Sequence, residues 1–199
     1  MYYPLDAGIV WQYRVSLIEG GAVVAGNANV LNLEPATIFD HTAVPQRSDL
    51  FGQTVVRYLA QTEGGIVQIA QQSGTAPPVA NNPPDYVLRL PLNSGTSWSS
   101  TWNSARERGR VSFPTVKTIT GNRDTVMVPA GTFTDCLHVR IAGRSEVALL
   151  AGPATVAVTG EEWYAPDVGF IKGAFRETVN QGEAAIELAI NLESFGRAR

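Results

Sequence analysis

From Ile9 onward apolar side chains fall at every second position, with Ile9, Trp11, Tyr13, Val15 and Leu17 opposed by Gln12, Arg14 and Ser16. A period of two is strand periodicity, one side chain in two facing a core. Glu19-Gly20-Gly21-Ala22 supplies glycines that accept positive φ, so Val23 to Leu33 is predicted to fold back as the second arm of a hairpin. Thr54 to Thr62 and Ile66 to Gln71 repeat the arrangement around Glu63-Gly64-Gly65. The second half predicts strands over 86–90, 97–103, 108–118, 124–128, 136–149, 155–164, 170–179 and 184–195. In the last of these Ile186, Leu188, Ile190 and Leu192 oppose Glu187, Asn191 and Glu193, which is a strand with one buried and one solvated side. Strands of ten residues reach about 33 Å, a length that suits a curved sheet. The expected fold class is all-β: a single, strongly curved antiparallel sheet forming a half-open barrel with little helix.

Two segments break the alternation. The stretch from Glu34 to Gly52 carries Pro35 and Pro45 and reads as a loop with at most a short edge strand. Ser73 to Asp85 holds Pro77, Pro78, Pro83 and Pro84, whose nitrogens cannot donate to a ladder, and reads as a long non-strand connection. The pattern is the same on both sides of it, so residues 1–199 are expected to form one domain, a size common for all-β folds. Pro4, Leu5, Gly8 and Trp11 also return as Pro91, Leu92, Gly95 and Trp98, a pseudo-repeat expected to launch a meander in each half.

Composition narrows the function classes. Hydrophobic residues make up 44% of the chain and charged residues 17%, enough apolar area for a core without metal or disulfide. The formal net charge is −3 and the basic residues are scattered, which argues against a nucleic-acid partner. Cys136 is the single cysteine, so no internal disulfide can form. No run approaches the ~20 apolar residues of a spanning helix; the longest, Val147 to Val158, is interrupted by Gly152-Pro153.

Three segments carry a resemblance: the opening YYPLDAGIVWQY, VMVPAGTFTDCLHV (Val126 to Val139) and WYAPDVGFIKG (Trp163 to Gly173). Together they resemble a family of poorly characterised bacterial envelope proteins, secreted or lipid-anchored, with a PLxxGxxW start followed by VPAGTFxxC and WYAPxVGxxK segments. The resemblance implies a long curved sheet similar to the half-open barrel of periplasmic lipoprotein carriers. It also implies a periplasmic or cell-surface location, with a signal or anchor belonging upstream of Met1. Asp167 stands where the family pattern has Gly, which alters a turn. The family brings no catalytic residues.

The candidate chemistry is thin. Cys136 and His138 lie two apart on one predicted strand face, but no third group is identifiable to orient the histidine as a base. Asp40, His41 and Asp49 cluster in the first loop without the spacing of a metal site. Glu161 and Glu162 point to opposite faces, so only one can line a cavity. There is no G-x-S-x-G elbow and no Gly-rich phosphate loop. Arg106 to Arg110 forms a small positive run able to meet an anionic group.

Trp98 and Trp102 share a face, and with Trp11 and Trp163 they are the candidate wall of an apolar groove for a lipid or other apolar small molecule. Leu149, Leu150 and Pro153 tip the most apolar hairpin, a candidate contact patch for a membrane surface or an envelope protein partner. The leading expectation is a non-catalytic envelope protein binding an apolar or amphipathic ligand in the sheet's concavity, with no catalytic residue, cofactor or metal. The alternatives are a structural or protein-interaction module with a filled core and, last, an enzyme.

Overall fold

The computed structural model describes residues 1–104, 111–150, 152–180 and 184–198. Its strands in chain order are β1 (Ile9–Glu19), β2 (Ala22–Asn32), β3 (Ala36–Ile38), β4 (His41–Leu50), β5 (Gln53–Thr62), β6 (Gly65–Ser73), β7 (Val79–Arg89), β8 (Ser97–Asn103), β9 (Ser112–Val128), β10 (Gly131–Leu149), β11 (Gly152–Ala165), β12 (Gly169–Val179) and β13 (Ala184–Arg197). Twelve form one antiparallel path, β7-β6-β5-β4-β2-β1-β13-β12-β11-β10-β9-β8, with β3 added beside β4. The chain is thus two meanders joined through β1 and β13, its first and last long strands.

The path curls into a nearly closed barrel, and its end strands β7 and β8 meet at a seam held by side chains. Trp98 Nε1 donates to the Tyr86 carbonyl at 3.0 Å. The Asp85 carboxylate accepts the Thr101 main-chain N–H at 3.2 Å and the Ser100 hydroxyl at 3.3 Å. A free strand edge exposes unpaired backbone groups, and here side chains satisfy some of them.

Two non-strand expectations are corrected. Residues 34–52 hold β3 and all of β4, and Pro45 fits because β4 changes partner around it. His41 to Ala43 pair with β3, and Gln46 to Leu50 pair with β2. The Pro45 carbonyl accepts Leu33 N–H at 2.8 Å, while its donorless nitrogen falls at the break between the ladders. Residues 79–85 belong to β7. There the β6 ladder jumps from Ala80 to Asp85, so Pro83 and Pro84 ride a bulge on an end strand. The two strands expected over 108–118 and 124–128 are one, β9, unbroken across residues 119–123.

Both copies of the pseudo-repeat adopt one device. Gly8 (φ 78°) donates to the Asn32 carbonyl and Gly95 (φ 93°) to that of Ile119, both at 2.8 Å. Each positive φ admits glycine at little cost. Three residues on, Trp11 and Trp98 are each only 3% exposed and donate an indole N–H to a main-chain carbonyl. Strand alternation then fixes the inner wall. Its apolar clusters include Leu59, Ile119, Leu137 and Val139 around Tyr3, and Val156, Val158 and Phe113 higher up. A satellite cluster of Ala43, Ala60, Val67 and Ile69, with Ile38 of β3 packed against it, lies on the outer side.

Candidate ligand-binding interior

The N-terminal segment crosses one end of the barrel and drops Tyr3 inside, where its ring meets Tyr164 at 6.2 Å between centroids. Beside it the register aligns three inward residues, Asn32 opposite Gln46 and Gln46 opposite Arg57. Hydrogen bonds run through the row in one direction. Arg57 Nη2 donates to Tyr3 Oη at 3.1 Å and to Gln46 Oε1, and Tyr3 Oη donates to Gln46 Oε1 at 2.9 Å. Gln46 Nε2 donates to Asn32 Oδ1 at 3.0 Å, and Asn32 Nδ2 donates to the Pro4 and Asp6 carbonyls at 3.2 Å. The half-buried arginine is therefore oriented by a chain of neutral groups anchored in the segment that closes the floor.

A second polar group lies deeper. Lys117 Nζ sits 3.1 and 3.0 Å from the two Glu162 carboxylate oxygens, and Tyr164 Oη donates to Glu162 Oε2 at 2.7 Å. Burial lifts the Tyr164 phenol well above the usual tyrosine range, reinforced by Glu162. Burial does the same to Tyr13, with Tyr3 adding to the effect and Arg57 opposing it. Both phenols stay neutral at physiological pH, so neither offsets the arginine charge.

At the opposite end the wall is less buried. Antiparallel topology brings the β1–β2 and β4–β5 turns, the β6–β7 connection and the β10–β11 turn to this mouth. Leu17, Val30, Ser48, Val55 and Leu188 face inward and are only partly buried, and Val24, inward at the rim, is 50% exposed. Phe51, in the β4–β5 turn at φ 49°, lays its ring where a Cβ on Gly26 would sit, on the inner face of β2.

Of the four tryptophans, three face inward. Trp11 and Trp98 are the buried anchors described above. Trp102 donates to Glu177 Oε2 at 2.8 Å and packs on Phe175 at 5.1 Å. Trp163 faces outward, between inward Glu162 and Tyr164. It stacks on His138 at 4.6 Å, carries Lys172 over its ring, and donates to Asp124 Oδ2 at 3.0 Å. The four do not form one wall. Leu149 is half-buried, Leu150 is 87% exposed and Pro153 is exposed, all at the mouth end.

The other sequence candidates separate. Cys136 is fully buried with its Sγ near the Phe133 and Thr134 carbonyls, and His138 stands between Asp124 and Glu161; cysteine and histidine share no hydrogen bond. The register of the β9 ladder shifts between these two residues. Burial, then Asp124, pushes the Cys136 thiol up to about 11. Among the described residues no group of three His, Cys, Asp or Glu side chains could hold a metal ion, Asp40, His41 and Asp49 included. The positive run over 106–110 lies outside the described residues. On the outer face, a groove of about 520 Å³ crosses β1, β13, β12, β11 and β10 over Ala142, Ala174 and Ala189, flanked by Arg140, Glu161 and Arg176.

Sequence reasoning missed Arg57 and Phe51. Arg57 carried a signal, as the one charged residue of an otherwise uncharged strand pattern from Thr54 to Thr62. Phe51 carried none beyond Phe-Gly in a turn.

No protein-family model matches the chain. No curated protein matches it at a significant level. Among solved structures it is similar to a presumed exported protein of Bacteroides fragilis with a YmcC-like fold, at 14% identity and a TM-score of 0.47, covering 98% of this chain and 99% of that one. It is also similar to a presumed lipoprotein of Parabacteroides distasonis, at 17% identity and a TM-score of 0.42, covering 98% of each.

Proposed function

We propose that this protein is a non-catalytic carrier of the bacterial envelope that holds an amphipathic ligand inside its barrel. The observation that carries this reading is the incompletely buried inner wall at the mouth, where Leu17, Val30 and Val55 face inward only partly buried and Val24 is 50% exposed. An apolar concavity with a few oriented polar groups is the usual form of a small-molecule site. Trp11, Trp98 and Trp102 belong to the frame of the trough and leave the ligand to the space beyond them. Leu150 and Pro153, exposed at the same end, would bring the mouth to a membrane or partner surface.

Native mass spectrometry of the purified chain, followed by titration of the delipidated protein with dodecanoate, tests the reading. A 1:1 complex that a Val55→Arg substitution abolishes is the expected result. Absence of any bound amphiphile would favour the second reading, a module with a filled interior. That reading has its own support in the outer groove, and it predicts that Ala174→Arg, which fills the groove, disrupts a protein complex.

A further inference from the structure

The interior holds two cations treated differently. Lys117 is matched by Glu162 through both carboxylate oxygens. Among the described residues Arg57 has no carboxylate within ion-pairing distance, and its partners Tyr3 and Gln46 are neutral. Burying a cation is costly unless it is paired and fully hydrogen-bonded. A guanidinium has five N–H donors in a planar fork. Only Nη2 is used here, so Nε and Nη1, which carry three of the five, are without protein acceptors. Neither is sealed from solvent: His138 Nε2 alone, among the described residues, is a buried side-chain polar atom lacking a partner.

The geometry around Arg57 is built. Tyr3, Gln46 and Asn32 fix one edge of the guanidinium, and the relay ends on main-chain carbonyls that cannot move independently of the floor. Toward the mouth, the next inward residue on β5 is Val55, with Ser48 opposite it on β4 and Val30 beyond on β2. A fixed cation with unused donors therefore sits below a stretch of inner wall formed by Val55, Ser48 and Val30. That order, charge at the floor and hydrocarbon toward the mouth, matches an anionic head followed by an alkyl tail. Arg in this setting suits planar, bidentate recognition of carboxylate or phosphate.

We infer that Arg57 anchors the anionic head, a carboxylate or phosphate, of the amphiphile held in the trough. The assignment rests on the carrier reading above and names its ligand class.

Calorimetric titration of the delipidated full chain tests it with dodecanoate, dodecyl phosphate, dodecanol and dodecyltrimethylammonium, with acetate and inorganic phosphate as tailless anions. At least one anionic amphiphile should bind roughly 10-fold or more tighter than dodecanol, as expected for a charge-assisted contact. Arg57→Met should erase that preference, while Arg57→Lys should keep part of it. Equal binding of anionic and neutral amphiphiles to the unaltered chain overturns the anchor and leaves the carrier reading standing. Failure of every amphiphile removes both. Tailless anions that bind as tightly as dodecanoate and dodecyl phosphate overturn the amphiphile class. The series on the unaltered chain decides the matter even if Arg57→Met does not fold.

Discussion

The Asp85 carboxylate accepts the main-chain N–H of Thr101 at 3.2 Å, across the seam where β7 and β8 meet without a ladder. Burial raises the Asp85 pKa above 3.8, outweighing the bonds from Thr101 and Ser100 that favour the charged form. A carboxylate whose folded-state pKa is raised contributes stability that is complete below pH 3.8 and declines as pH rises through the folded value. Asp85→Asn keeps an acceptor at the seam and removes the ionisation. It should therefore be at least as stable as the parent at pH 7 and show a flatter stability profile above pH 4, measured by urea denaturation across pH. Asp85→Ala leaves the Thr101 donor unmatched and should cost about 1 kcal/mol.

Lys117 and Glu162 test the deeper polar pair. Removing one member of a buried ion pair strands the other, at a cost of about 3 kcal/mol. Lys117→Met should destabilise by that order. Lys117→Met with Glu162→Gln should recover much of the loss, because the amide still accepts from Tyr164 without a charge. A double-mutant cycle by chemical denaturation reads the coupling.

Cys136 should be silent toward thiol reagents in the folded protein. With its pKa near 11, about one thiol in a thousand is ionised at pH 8, and the side chain is fully buried. Modification by a chromogenic disulfide should await denaturant. Raised from 9.0, the thiol contributes stability that is lost as pH climbs past 9 toward 11, so the protein should weaken in that window. Rapid native labelling would revive a catalytic thiol.

Phe51 tests the mouth. Its ring is about half exposed over Gly26, so Phe51→Ala should cost under about 1 kcal/mol and speed amphiphile uptake in stopped flow. Gly160→Ala acts on the opposite wall. Its Cβ would lie 2.4 Å from the Phe175 ring and 3.0 Å from the Ala174 carbonyl, so it should destabilise by roughly 1–3 kcal/mol.

A continuous sheet with side chains across its seam should unfold as a unit. Circular dichroism and tryptophan fluorescence should give one coincident transition in urea. Two separated transitions would divide the chain near residues 90–96.

The alternation of Trp11, Tyr13, Val15 and Leu17 made β1 and its inward face legible, because a strand's side-chain period is two whatever its neighbours. Val23 to Leu33 was legible for the same reason, with Gly20 and Gly21 marking the turn. β4 was not, since Pro45 reads as a breaker locally and is tolerated only where β2 and β3 divide the ladder between them. Residues 79–85 of β7 were hidden likewise, because the bulge that admits Pro83 and Pro84 exists only against β6, whereas its end from Tyr86 was expected.

The site followed the same division. Sequence placed Trp98 and Trp102 on one face, and it put Glu161 and Glu162 on opposite ones, as local geometry requires. It could not place Trp163 relative to Trp11, because that depends on register carried through β13 and β12 across the sheet. Nor could it show that Arg57 lies beside Tyr3, 54 residues away, without a carboxylate. Periodicity alone determined that this chain is an all-β sheet with one greasy side. Closure at the seam, the thinner burial of the wall at the mouth and the interior cation without a carboxylate at ion-pairing distance were decided by tertiary structure, because each depends on which distant strands become neighbours.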